Sequence, residues 1–113
     1  MDVIWTKLAK ITFIEVLENL KKHWTEKEMK EFVDLTNSLL NRIKDEQIKH
    51  PFVNQKLKVK RAIIHKNVSL FYKEESTKDT IYLITFFNNR MNPETLKNLL
   101  QKHSHQNLID FKD

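Results

Sequence analysis

The residues best suited to chemistry in this chain are cationic. Lys58, Lys60 and Arg61 crowd one short stretch, Arg90 follows the most apolar run, and Tyr72 places a phenol between them. Ammonium and guanidinium groups stabilise anions, and a phenol can orient a group or donate a proton. Alternating lysines are also the ordinary dress of a solvated strand face, which is the competing reading for Lys58 and Lys60. Arg61 alternates with Val59 and Ile63, so it is expected among apolar side chains, where a guanidinium needs a partner or a task. Tyr72 fits a core position with a satisfied hydroxyl equally well. Arg90 stands between an apolar strand and a helix-start signal, where rigid elements would hold it toward a groove. Its alternative is an ion pair with Glu94 or Asp79.

Five histidines are present, and imidazole is the usual acid or base near neutral pH. His103 and His105 flank Ser104 without a third ligand, a poor metal site. His65 reads as part of a turn, His50 merely precedes Pro51, and His23 reads as a charge complement at a helix C-terminus. No metal or cofactor site is expected. The chain has no cysteine, which excludes disulfides, a thiolate nucleophile and sulfur-bound zinc. It has no glycine either, which excludes glycine-rich phosphate loops.

The elements that must position these groups are legible from periodicity. Asp2–Trp5 reads as a short strand, and Thr6 caps a helix reaching about Lys22. Its core-facing residues are Ala9, Phe13, Val16, Leu17, Leu20 and Trp24. Ile11 and Ile14 fall on the opposite side, either as surface scatter or as a place where a partner docks. Thr25-Glu26-Lys27-Glu28 is a capping box that opens a second helix with the stripe Met29, Phe32, Val33, Leu39, Leu40 and Ile43, fading near Gln47. From Leu57 the period becomes two, so Leu57–Ile63 and Val68–Tyr72 read as strands, and the apolar run Ile81–Phe87 reads as a third. His65-Lys66-Asn67 and Glu74–Asp79 connect them. The last strand is apolar on both faces, as a central strand is. Asn92-Pro93 signals a final helix with an apolar edge of Leu96, Leu99 and Leu100. The expected fold is α+β: a short N-terminal strand, an antiparallel helical hairpin packed on an antiparallel β-meander, and a short C-terminal helix.

At 113 residues the chain is expected to form one domain over 1–113, with the tail 101–113 the part least supported by pattern. A formal charge of +5 and a pI near 9.4 favour acidic partners. No basic leader precedes a long apolar run, so the cytoplasm is the expected location and no membrane is implied.

The run of landmarks is similar to the RelE/ParE superfamily of toxins. It comprises Trp5 and Ala9 opening the first helix, His23-Trp24-Thr25 between the helices and Lys60-Arg61-Ala62 in the second strand. Ser69-Leu70-Phe71-Tyr72, Ile81-Tyr82-Leu83 and Asn89-Arg90-Met91-Asn92-Pro93 complete it. The resemblance spans about Val3 to Leu100 and implies a growth-arresting toxin of a type II toxin–antitoxin system, masked by a cognate antitoxin in a hetero-oligomer. RNA-cleaving members drive the RNA 2′-hydroxyl against the adjacent phosphate. There Lys58, Lys60, Arg61 and Arg90 would supply cations and Tyr72 would orient or donate. Several such members carry a histidine or tyrosine close after the last strand, where this chain has Asn88-Asn89-Arg90-Met91-Asn92. Arginine before Asn-Pro is closer to ParE-like, plasmid-stabilisation members, which implies binding to DNA gyrase rather than ribosome-dependent cleavage of messenger RNA. A non-toxic basic nucleic-acid-binding module is the third expectation. The toxin expectation requires the cations to share one groove, and Arg61→Ala or Arg90→Ala to relieve arrest.

Overall fold

The computed structural model describes residues 1–46, 50–65 and 68–88. Along the chain run β1 (Asp2–Trp5), α1 (Lys7–Lys21), α2 (Glu26–Lys44), β2 (Phe52–Asn54), β3 (Val59–His65), β4 (Val68–Glu75), a 3-10 turn (Ser76–Lys78) and β5 (Thr80–Asn88). The strands form one sheet in the order β1-β5-β4-β3-β2.

Local chemistry starts both helices. Thr6 is fully buried, and its hydroxyl accepts from the Ala9 N–H at 3.0 Å, capping α1. The same oxygen lies 2.6 Å from the Leu83 carbonyl and 3.1 Å from that of Ile84, so the cap also fastens α1 to β5. Thr25 and Glu28 form the expected capping box at α2. Helix α2 stops at Lys44, and Glu46 follows at φ 58°, a left-handed conformation in which a helix does not continue. Ala9, Val16 and Leu20 of α1 join Phe32 and Ile43 of α2 over Ala62, Leu70, Tyr72, Ile81, Leu83 and Phe86. Aromatic pairs knit this layer, with Phe13 4.9 Å from Phe86 and Trp5 5.4 Å from Phe86 between ring centres. Each such pair contributes roughly 0.5–1.5 kcal/mol beyond its buried area.

The expected antiparallel β-meander ending in a short C-terminal helix needs correction. The sheet is mixed and five-stranded, because β1 pairs parallel with β5 in the register Val3↔Ile81 and Trp5↔Leu83. Parallel pairing requires a crossover, and the helical hairpin begins that crossover by covering one face. A further edge strand, β2, pairs antiparallel with β3; three residues are too short to show a period. The last described element is the strand β5, not a helix. The segment from Asn92-Pro93 to the tail 101–113 lies outside the described residues.

A bulge decides which way β5 side chains point. Phe71 pairs with Thr85 but Tyr72 pairs with Leu83, leaving Ile84 as the extra residue. Ile81, Leu83 and Phe86 therefore face the helices, while Ile84 and Phe87 join Val59 and Phe71 in a second buried cluster on the reverse face. Both faces of β5 are buried, as its unbroken apolar run implied. Among the described residues, no helix is long and apolar enough to cross a membrane.

Candidate functional site

Strand pairing brings together residues that sequence distance separates. Phe52 pairs with Lys60 and Lys60 with Tyr72, so the three occupy one row on the helix-bearing face. His50 enters this row from just before β2, and its Nδ1 lies 2.7 Å from the Tyr72 hydroxyl. The rings meet edge to face at 5.7 Å. Lys60 Nζ lies 3.3 Å from Glu74 Oε1 and 5.2 Å from the centre of the Phe52 ring. An imidazole, a phenol, an ammonium and a carboxylate thus converge at the β2–β4 end of the sheet.

The electrostatics set proton states in this row. Burial lowers the affinity of His50 for a proton, the charges of Lys60 and Arg42 lower it further, and Glu74 acts in the opposite sense. His50 is therefore neutral at physiological pH, with one ring nitrogen able to accept a proton. Tyr72 is fully buried, and burial followed by the Glu74 charge pushes its hydroxyl far above the ordinary phenol value. Tyr72 stays protonated and serves as a hydrogen-bonding partner rather than a base. In the tautomer whose Nδ1–H donates to the Tyr72 oxygen, Nε2 is the imidazole nitrogen left to accept a proton from a ligand.

Beside this row is a cleft of about 760 Å³ between the turn leading into β3 and the end of β4. Lys56, Lys58, Lys60 and Lys73 line it against Glu74 and Glu75. The turn is built by Asn54, whose side-chain oxygen accepts from the Leu57 N–H at 2.9 Å. Lys58, expected within the strand, precedes it at φ 57°. Tyr82 adds a hydroxyl whose proton affinity is raised first by burial and then by the charge and hydrogen bond of Glu75.

The cations anticipated from sequence do not all share a groove. Lys58 and Lys60 line the cleft, and Lys60 shares its face with Tyr72. Arg61 points to the reverse face, where Nε donates to Ser69 Oγ at 2.9 Å and the guanidinium lies 5.9 Å from the centre of the Phe71 ring. Its neighbour Ile63 is exposed rather than packed around it. Arg90 lies outside the described residues. On α1, Ile11 and Ile14 are both exposed, and Ile11 borders a groove of about 390 Å³ formed with Leu8, Val16, Phe86 and Phe87. His50 was set aside in the sequence because nothing local marks it. The only available signal was its place before Pro51, which favours extended backbone and so a strand start. No protein-family model matches the chain, and no curated protein matches it.

Proposed function

We propose that the chain is a cytoplasmic toxin of the RelE/ParE kind, neutralised by a cognate antitoxin, that arrests growth by metal-independent cleavage of RNA. The observation that carries the cleavage reading is the 2.7 Å contact between His50 Nδ1 and the Tyr72 hydroxyl, beside Lys60. Gyrase binding was the preferred expectation because the stretch after the last strand offers neither histidine nor tyrosine. Here an imidazole and a phenol come from other elements, which removes that objection, while the expected common groove is reduced to Lys58 and Lys60, with Arg61 on the reverse face. In the reaction, His50 Nε2 takes the proton of the RNA 2′-hydroxyl as its oxygen bonds to phosphorus. The bond to the 5′-oxygen breaks, that oxygen takes a proton from solvent water, and a 2′,3′-cyclic phosphate and a 5′-hydroxyl result. Lys60 and the cleft lysines stabilise the charge that gathers on the phosphorane oxygens. Antitoxin binding is supported by the apolar groove beside Ile11, whose lining suits a partner with apolar side chains.

The test is induction of the gene alone and with each neighbouring gene, followed by primer extension on cellular RNA. Arrest, rescue by one neighbour and discrete new RNA ends are expected. Intact RNA with a DNA-damage response would replace cleavage by gyrase inhibition. Absence of arrest with salt-sensitive RNA or DNA binding would leave a nucleic-acid-binding module.

A further inference from the structure

We infer that the cleft between the turn before β3 and the end of β4 seats a short single-stranded stretch of RNA, its phosphates held by Lys56, Lys58 and Lys73. This assignment rests on the RNA-directed reading above and names the subsite that reading lacks. Four lysines face two glutamates in the cleft, and one of those glutamates, Glu74, is engaged by Lys60 at 3.3 Å. Lys56, Lys58 and Lys73 have no carboxylate partner among the described residues. Three lysines that line one cleft and are not ion-paired with its two carboxylates leave that cleft net positive, which favours an anion there. The turn also holds Lys58 at φ 57°, a conformation that costs a non-glycine residue roughly 1–2 kcal/mol.

The remaining lining distinguishes RNA from other anions. A volume of about 760 Å³ exceeds a single phosphate and falls within the roughly 300–1,000 Å³ of sites for drug-sized small molecules. Phe52 is half exposed at the rim, with a ring face on which a base can stack, as in single-strand binding sites. Glu75 Oε2 is buried without a hydrogen-bond partner among the described residues. A carboxylate oxygen there can accept from a ribose hydroxyl, a donor that an acidic side chain lacks. Lys60 connects cleft and catalytic row, since it lines the one and its charge acts on His50 in the other.

The test is fluorescence anisotropy of a labelled eight-nucleotide RNA, measured in a His50→Gln background so that cleavage does not consume the probe. Adding Lys56→Ala and Lys73→Ala is expected to weaken binding about tenfold or more and to flatten the salt dependence by roughly 1.4, two phosphate contacts at about 0.7 each. Lys27→Ala with Lys30→Ala, which removes the same charge from the exposed side of α2, is expected to change binding far less. Equal loss in both double variants, no loss in the cleft variant, or equal competition by polyglutamate would overturn the subsite. Cleft-dependent RNA binding by a chain that cuts no RNA would instead retain the subsite and remove the cleavage reading.

Discussion

The hydroxyl of Thr12 on α1 accepts a hydrogen bond from the Phe86 N–H on β5 at 3.0 Å. Its own proton goes to the Leu8 carbonyl at 2.8 Å. The contact lies just past the point where β1 stops pairing at Trp5↔Leu83, so the helix supplies the partner that the shorter strand cannot. Thr12→Val keeps the shape but leaves a buried N–H unpartnered, which is expected to cost about 1–3 kcal/mol. Thr12→Ser is expected to retain most of the stability. Urea denaturation reads both, and an unchanged midpoint for the valine variant would contradict this role.

His50→Gln is expected to lower RNA cleavage by roughly 10²–10⁴-fold, the range general acid–base groups contribute, and to abolish arrest while circular dichroism stays unchanged. Tyr72→Phe is expected to have a smaller effect, because it removes the orienting hydroxyl and leaves the base. Cleavage at wild-type rate by His50→Gln would dismiss the imidazole as the proton acceptor.

The rate of cleavage is expected to rise with pH along a limb centred below the ordinary histidine value of 6.5, because the neutral ring is the active form. Lys60 and Arg42 depress that limb and Glu74 raises it. Lys60→Met is therefore expected to move the His50 titration upward and Glu74→Gln downward. Proton NMR of the imidazole ring follows both, and movement in the same direction would mean these charges do not govern the site.

Stability carries a signature of the same group. The folded chain resists protonating His50, so across the window from its depressed value up to 6.5 the unfolded chain binds more protons and stability rises with pH. Above that window this contribution is flat, and below it the loss is complete. Thermal melts from about pH 5 to 8 should show a shallower slope in His50→Gln than in the wild type. Identical slopes would place the pH dependence elsewhere.

Arg61→Ala is expected to leave cleavage near the wild-type rate, because Arg61 sits on the reverse face with Ser69 and Phe71. Its contacts there bear on stability, at roughly 0.5–1.5 kcal/mol for the hydrogen bond. This differs from the expectation drawn from sequence, in which Arg61 belonged with Lys58 and Lys60. Loss of cleavage in a folded Arg61→Ala protein would move the site to the other face.

Much of the architecture was written locally. Thr6 and Thr25 with Glu28 marked both helix starts, the period-two pattern marked β3 and β4, and the unbroken apolar run marked β5, because caps, alternation and apolar runs act over a few residues. The candidate site was less legible. Lys60 and Tyr72 could be named from residue type, but His50 gains meaning only when β2 sets it beside Tyr72.

The sequence by itself determined that this is a cysteine-free, basic α+β chain whose helices each bury one stripe, since composition and periodicity are properties of neighbouring residues. Tertiary structure alone decided that β1 lies parallel to β5, that the bulge at Ile84 turns Phe86 toward the helices, and that Lys60 and Arg61 part to opposite faces. The physical reason is that pairing register, not residue type, assigns each side chain its face, and register is set by contacts between strands far apart in the chain.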